Sequence, residues 1–312
     1  MEEVKILREA LENFLCPDVK TLFQKSISDT FFENICEIRM RIAKPIIIKN
    51  LNREWTITNN FTLTDKINSG YIVTPKNLSD TFEIITNYSP YAFENQIKNG
   101  FITISGGHRI GFCGEAIIEN DKIKSIRNIN SLNFRIAHQI KNCARPIIKF
   151  LCQPHLMNTM IISPPGCGKT TLLRDIIRIL SDKYTISLVD ERSEISGSYM
   201  GIAQNDLGIH TDILDNCPKT QGMLMMLRTM SPQIIAVDEI GTVAEANAIL
   251  NIIACGVKIF CTAHGKDLDD IKNRDAIKIL MAKKIIERYV ILEAVGKIKN
   301  IYDKDLQVVN AK

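Results

Sequence analysis

Residues 163–171 of this chain read Ser-Pro-Pro-Gly-Cys-Gly-Lys-Thr-Thr, and this stretch decides the fold. The apolar residues 157–162 before it predict a strand, and the apolar periodicity of residues 172–180 after it predicts a helix. Small residues in such a turn let backbone N–H groups curl around phosphate oxygens, and the helix N-terminus adds free donors and a favourable dipole. The spacing therefore predicts a phosphate-binding loop.

This loop supplies the residues that we expect to hold ATP and Mg²⁺. Lys169 is placed to reach the β- and γ-phosphates and to act in catalysis, and Thr170 is placed to ligate the metal. Ser163 stands where the motif usually begins with Gly, and Ser avoids the positive φ angles that Gly adopts, so this position weakens the match. The predicted nucleotide contacts are Ser163, Pro164, Pro165, Gly166, Cys167, Gly168, Lys169, Thr170 and Thr171.

A second motif, at residues 234–239, is an apolar strand that ends in two carboxylates, Asp238 and Glu239. Ligands of open parallel sheets bind at the carboxyl ends of the strands. Asp238 is therefore predicted to complete the magnesium shell beside Thr170, and Glu239 to polarise the attacking water as a general base. The adjacent Glu favours an ATP-hydrolysing motor over a kinase, whose nucleophile comes from a substrate.

Two further apolar strands end in polar residues. One carries Thr262 and His264, and either is placed to contact the γ-phosphate and report its loss, with His264 favoured. The other is followed by Asp190 and Glu191, which are placed to orient water or Mg²⁺. A strand end closed by salt bridges is the alternative for the second pair.

The chain divides into two predicted domains and a linker. After residue 157, apolar strand candidates alternate with helices, which is the pattern of a parallel sheet covered by helices on both faces. We expect an α/β P-loop NTPase core over 157–312 and a helical linker over 138–156, with Pro146 as a break. Residues 1–137 predict a smaller α+β domain.

Within the N-terminal domain, residues 35–49 alternate apolar and basic side chains, which predicts one half-exposed strand with a positive face. Gly106-Gly107 predicts a hairpin turn, and Asn120-Asp121 marks another turn.

Composition narrows the class of protein. A chain of 312 residues with 45% hydrophobic and 24% charged residues is typical of a globular protein with two domains. Its net charge of +4 does not by itself indicate nucleic acid or membrane. Since the sequence has neither a signal pattern nor an apolar run of membrane-spanning length, we expect a cytoplasmic protein without a transmembrane segment. Nine cysteines without a C-x-x-C pair indicate neither a zinc site nor a disulfide framework.

Six short motifs carry a resemblance to a known family, at residues 105–111, 187–196, 217–219, 222–223, 230–241 and 262–265. Together they resemble the stage III sporulation protein AA family, over a span from about Glu37 to Ala294. That family is similar to the traffic ATPases of type II and type IV secretion, which are hexameric RecA-like motors with a mobile N-terminal domain. The resemblance implies a RecA-like ATPase in the mother cell that energises a secretion-like channel at the forespore membranes, with membrane-bound sporulation channel proteins as partners.

The resemblance also assigns roles. Asp190-Glu191 resemble the acidic box of the secretion motors, and His264 resembles their histidine box. An arginine from the N-terminal domain or a neighbouring subunit would complete the site, and Arg109 is the first candidate, ahead of Arg135 and Arg228. Lys169, Thr170, Asp238 and Glu239 match the nucleotide motifs. His210 stands where the family has Arg, and a His can be neutral at pH 7.

Three alternative functions stay open. A RecA-like motor acting on single-stranded nucleic acid is one, although no aromatic and basic platform for stacking bases follows His264, so no direct nucleic-acid contact is expected. An AAA-type remodelling ATPase is the second, and it needs a helical lid for which the tail leaves little room. The third is an ATP-gated scaffold with little turnover.

Overall fold

A computed structural model describes residues 2–51, 53–89, 93, 96–97, 100–119, 121–294 and 296–309. The chain forms two compact units, Met1–His138 and Gln139–Lys312. In the described part of the chain, no helix combines the length and the apolar character that crossing a bilayer requires.

The first unit is built on an antiparallel sheet in the order β4-β3-β2-β1-β7-β6-β5. Its strands are β1 (Ile35–Arg41), β2 (Ile47–Asn50), β3 (Arg53–Ile57), β4 (Leu63–Thr64), β5 (Phe101–Thr103), β6 (Arg109–Glu119) and β7 (Lys122–Arg135). Its helices are Glu2–Glu12, Pro17–Ser26, Asp29–Phe32 and Pro75–Ile85, with 3₁₀ turns at Ile67–Ser69 and Ser105–Gly107.

The alternation of apolar and basic residues in β1 is that of a sheet with one covered face. Ile38 and Met40 are fully buried, while Arg39 and Arg41 project from the other face. The prediction of a single strand over 35–49 is wrong, because the chain turns at Ala43, where φ is 58°, and returns as β2.

The turn predicted at Gly106-Gly107 is present as the 3₁₀ turn between β5 and β6, and both glycines have positive φ angles, of 82° and 73°. Asn120 of the other predicted turn lies outside the described residues. Asp121 beside it has a φ of 58°, and β6 pairs with β7 antiparallel.

The second unit is an α/β structure with strand order β10-β9-β11-β12-β8-β13-β14. All neighbours are parallel except β13 and β14, which pair antiparallel. The strands are β8 (Thr159–Ser163), β9 (Ile186–Asp190), β10 (Thr211–Asp215), β11 (Ile234–Val237), β12 (Lys258–His264), β13 (Arg288–Ala294) and β14 (Lys297–Asp303). The helices are Arg145–Cys152, Lys169–Leu180, Lys219–Thr229, Val243–Ala254, Leu268–Ile271 and Asp275–Ala282.

Alternate residues of the central strands supply two separate cores, one on each face of this sheet. Ile161 of β8 and Phe260 of β12 pack on the side of the helix Lys169–Leu180, here called the P-loop helix. Their neighbours Ile162 and Cys261 pack on the side of the helices 219–229, 243–254 and 275–282. Burial on both faces explains why these strands are continuously apolar in sequence.

Residues 139–156 of the segment predicted as a linker belong to the second unit, and His138 belongs to the first. The helix of this segment spans Arg145–Cys152 and buries Ile147 and Leu151 in the core beside the P-loop helix. Pro146 lies in the first turn of this helix and does not break it, because a helix leaves its first N–H groups unpaired and Pro lacks one.

Candidate active site

The four sequence motifs meet at one edge of the parallel sheet. Strands β9, β11, β12 and β8 are consecutive neighbours, and their carboxyl ends lie side by side. The register pairs Ser163 with His264 and places Val237, the residue before Asp238, between Val189 and Cys261. A cleft at this edge is lined by Asp190, Glu191, Arg192, Glu194, Lys219, Asp238 and Glu239.

The predicted phosphate-binding loop has the backbone geometry that its glycines predict. Gly166 and Gly168 have φ angles of 73° and 84°, and the P-loop helix begins directly at Lys169. Ser163 is the last residue of β8, is fully buried, and its hydroxyl donates to the Pro164 carbonyl across 2.9 Å. Ser163 therefore does not weaken the match to the motif. Its backbone is extended, and the two left-handed positions of the loop are occupied by Gly166 and Gly168.

The two predicted magnesium ligands contact each other. The Thr170 hydroxyl donates to Oδ2 of Asp238 across 2.9 Å. Over the described residues there is no group of three or more His, Cys, Asp or Glu side chains able to hold a metal. A hydroxyl and one carboxylate fit Mg²⁺, because this ion keeps several waters and binds through one or two protein oxygens together with substrate phosphates.

Glu239, the predicted base, is fixed through its backbone and open at its carboxylate. Its φ is 50°, its N–H donates to the Thr262 hydroxyl across 2.8 Å, and its carbonyl accepts from Lys219. The carboxylate lies 3.7 Å from the Arg192 guanidinium, and its side chain is 45% exposed. An exposed carboxylate on a fixed backbone can meet a water in the cleft.

Thr262, one of the two residues predicted to contact the γ-phosphate, has its hydroxyl bonded within the protein. It is fully buried, and its hydroxyl donates to Oδ1 of Asp238 while it accepts from the Glu239 N–H. Thr262 therefore holds the Asp-Glu pair in place. His264, two residues further along β12, is partly exposed at the sheet edge, and the Arg274 guanidinium donates to its carbonyl.

Asp190 has a different environment from the one predicted. It is buried, and its carboxylate accepts from the N–H groups of Glu194, Ile195 and Ser196 and from the Ser196 hydroxyl, at 2.7–3.0 Å. These bonds make Asp190 a residue that shapes its loop, in place of the predicted role of orienting water or Mg²⁺. Glu191, with 39% of its side chain exposed, remains the candidate for that role.

Arg174, which the sequence did not single out, joins the P-loop helix to the loop 191–196 after β9, here called the acidic loop. From the P-loop helix its guanidinium donates to the carbonyls of Ile195 and Glu194, at 2.7 and 2.6 Å. Burial lowers the pKa of Arg174, and the nearby Asp190 and Asp238 oppose that shift. The only sequence feature that points to Arg174 is its position five residues after Lys169, and this spacing is not specific for a functional residue.

The three arginines predicted as candidates for completing the site have different surroundings. Arg109 is on β6 opposite Arg135 of β7, and its guanidinium stacks on the Phe101 ring at 5.2 Å. Arg228 donates to the Leu224 carbonyl within its own helix, across 3.1 Å.

His210 lies beside the C-terminal end of the P-loop helix. Its Nδ1 donates to the Ser181 carbonyl across 2.6 Å. A ring N–H makes this contact, and the contact needs no positive charge at this position.

Comparisons with known proteins agree with this geometry. The family model described as "Sporulation stage III, protein AA" matches residues 5–309. Stage III sporulation protein AA of Bacillus subtilis (strain 168) is 35% identical over 318 residues, covering 99% of this chain and 97% of that protein.

Two solved structures share the fold. The pilus retraction motor PilT with bound ADP matches with a TM-score of 0.57 at 12% identity, over 92% of this chain and 77% of its own. The ATPase DotB of Legionella pneumophila matches with a TM-score of 0.54 at 16% identity, over 94% and 77%. The predicted fold, an α/β RecA-like core with a parallel sheet between helices and a smaller N-terminal part, is confirmed.

Proposed function

This chain belongs to the stage III sporulation protein AA family, and we propose that it is a Mg²⁺-dependent ATPase. The observation that carries the proposal is the 2.9 Å hydrogen bond from the Thr170 hydroxyl to Asp238, at the N-terminus of the P-loop helix. A hydroxyl and a carboxylate beside a loop lysine are the groups that hold Mg²⁺ and nucleotide phosphates in P-loop enzymes.

The residues of the second unit divide the proposed reaction between them. Backbone N–H groups of the loop hold the phosphates, and the Lys169 ammonium neutralises charge on the β- and γ-phosphate oxygens. Glu239 accepts a proton from the attacking water as general base. Mg²⁺, when bound, supplies further charge neutralisation at the transferred phosphoryl group. His264, at the edge of the sheet, reports the loss of that group.

We further propose that turnover moves the N-terminal unit in a homo-hexamer, a rigid-body change of the kind that γ-phosphate contacts bias in other motors. Arg109 acts on the site of a neighbouring subunit as an arginine finger. The motor works in the cytoplasm of the mother cell and energises a secretion-like channel through membrane-bound partners at the forespore membranes. Membership of a sporulation family supports this cellular role.

The test is to measure molecular size and the rate of ATP hydrolysis together, with and without Mg²⁺-ATP. We expect turnover and a hexamer in the presence of nucleotide. Lys169→Ala should lose ATP binding, whereas Glu239→Gln should keep binding and lose kcat by at least about 100-fold. Unchanged ATP affinity in the first variant, or a wild-type rate in the second, would refute the site.

Other outcomes select the alternative functions. Binding without turnover in the wild-type protein would indicate an ATP-gated scaffold, and strong stimulation by single-stranded DNA would indicate a nucleic-acid motor. For the finger, mixing Arg109→Ala subunits with Lys169→Ala subunits should restore part of the activity. No recovery at any mixing ratio contradicts action of Arg109 on a neighbour.

A further inference from the structure

One lysine outside the nucleotide motifs ties three segments of the candidate active site together. Lys219 begins the helix Lys219–Thr229, and only 14% of its side chain is exposed. Its ammonium donates to the Glu239 carbonyl across 2.6 Å and lies 3.1 Å from Oε1 of Glu245. On its other side it lies 3.7 Å from Oε2 of Glu191, on the loop after β9.

The contact with Glu239 matters because of the backbone conformation at that residue. A φ of 50° is in the left-handed region, which L side chains adopt only when their surroundings hold them there. The Glu239 N–H is held by the Thr262 hydroxyl, and the N–H of Ile240 donates to the Thr262 carbonyl across 2.8 Å. Lys219 holds the remaining backbone polar group of Glu239, its carbonyl, so the backbone of Glu239 is anchored on both sides of its Cα.

Glu245 gives the Lys219 ammonium a charged partner inside the protein. It is buried, and its other oxygen, Oε2, accepts from the N–H groups of Gly241 and Thr242 at 2.8 and 2.9 Å. Burial raises the pKa of Glu245, but those N–H donors and Lys219 outweigh it and leave the pKa below its usual value. The carboxylate therefore stays ionised, which a buried ammonium requires of its partner.

We propose that Lys219 is a positioning residue for ATP hydrolysis: it fixes the Glu239 peptide so that the carboxylate meets the attacking water. Through Glu191 it also links this peptide to the acidic loop. The inference rests on the proposed ATPase function. Lys219 does not contact the phosphate loop, so its loss should affect the chemical step and leave nucleotide binding intact.

The test compares Lys219→Met, which keeps the length of the side chain and removes its charge, with Lys219→Arg in the full-length protein. For Lys219→Met we expect kcat to fall on the order of 100-fold and the Kd for ATP to stay within about two-fold, as for loss of a group that acts only in the transition state. Lys219→Arg keeps charge and donors and should lie between Lys219→Met and wild type.

Lys258→Met is a matched control. Lys258 is also partly buried and pairs with Glu287 at 2.8 Å, but it lies at the opposite end of β12 from the site. Its loss should lower stability without changing kcat.

A second measurement distinguishes a positioning role of Lys219 from a general effect of Lys219 on stability. In a Glu239→Gln background the base is already absent, so adding Lys219→Met should lower the residual rate no further. An additive loss would overturn the proposal, as would a wild-type kcat in Lys219→Met, or losses of ATP affinity and melting temperature that match the loss of kcat. If Lys219→Met does not fold, Lys219→Arg decides: reduced kcat at unchanged ATP affinity supports the proposal, and wild-type kcat overturns it.

Failure of the broader proposal gives a different result. A wild-type protein that binds Mg²⁺-ATP and never hydrolyses it refutes the ATPase function before any variant of Lys219 is compared. Hydrolysis that depends on Glu239 and is indifferent to Lys219 refutes only the role of the lysine.

Discussion

Thr262→Val removes one hydroxyl from the candidate site and leaves the shape of the side chain almost unchanged. That hydroxyl is fully buried, donates to Asp238 and accepts from the Glu239 N–H across 2.8 Å. Valine leaves both groups without this partner, and an unsatisfied buried group costs about 1–3 kcal/mol, more when it is charged. Because Asp238 keeps the Thr170 hydroxyl on its other oxygen, we expect a loss of about 2–4 kcal/mol in the free energy of unfolding.

The assay is urea unfolding of the full-length protein without nucleotide, followed by circular dichroism, because the single tryptophan, Trp55, lies in the first unit. Thr159→Val is the matched control. Thr159 is equally buried in the neighbouring strand β8, but its hydroxyl donates to a backbone carbonyl, that of Met157, so its loss should cost about 1 kcal/mol.

Thr262→Val should also lower kcat, since the hydroxyl that it removes holds both Asp238 and Glu239. The reasoning is refuted if Thr262→Val costs no more stability than Thr159→Val, or if it lowers stability and leaves kcat unchanged.

Two further predictions concern stability. Burial lowers the pKa of His108 to about 4 from its ordinary value of 6.5. Between these values the unfolded chain binds more protons, so the contribution of His108 is complete above pH 6.5 and declines by up to about 3 kcal/mol toward pH 4. Unfolding midpoints across this window should fall less steeply in His108→Gln, and equal slopes contradict the prediction. For Gly265→Ala, the new Cβ would lie 2.3 Å from Ile271, and we expect a loss of about 1–3 kcal/mol. In the control variant Gly111→Ala, the atom nearest to the new Cβ is 3.8 Å away. An equally large loss of stability in that variant would show that crowding does not cause the loss in Gly265→Ala.

The phosphate loop and the Asp-Glu strand can be predicted from the sequence because their chemistry is local. The loop needs small residues, a lysine and a hydroxyl at fixed spacing before a helix, and Lys169 and Thr170 provide them within two positions. Asp238 is predictable because a buried parallel strand must end at the ligand edge of its sheet. The beginnings of strands are less certain: the apolar run from residue 157 predicts β8 two residues before it begins at Thr159.

Burial along a single strand is harder to predict. Thr262 and His264 lie on the same face of β12 and differ only in depth, since two residues of a strand advance about 6.6 Å. In the sheet Thr262 pairs with Ile161, inside the core, and His264 pairs with Ser163, at the edge. Both residues are polar and stand at the end of one apolar strand, so the sequence could not tell the buried residue that anchors Asp238 from the partly exposed one at the sheet edge.

The environment of Asp190 depends on a loop that returns to its own strand end. Three N–H groups and one hydroxyl from residues 194–196 bind its carboxylate. Nothing in the order Asp-Glu-Arg-Ser-Glu-Ile-Ser shows which carboxylate the loop folds around. The acidic pair is therefore recognisable as a motif in the sequence. Only the structure shows that the Asp190 carboxylate binds its own loop whereas the Glu191 side chain is exposed.

The conformation of Glu239 shows why a motif by itself does not establish turnover. Its N–H is held by a residue 23 positions later in the chain, Thr262, and its carbonyl by one 20 positions earlier, Lys219. These partners belong to different elements and contact the backbone of Glu239, so no pattern around Asp238-Glu239 can reveal them. A chain that kept the phosphate loop and the Asp-Glu pair but lacked Lys219 or Thr262 should still bind ATP, since binding depends on the loop. It should hydrolyse ATP slowly, since the Glu239 carboxylate would no longer be held where it can accept a proton from the attacking water.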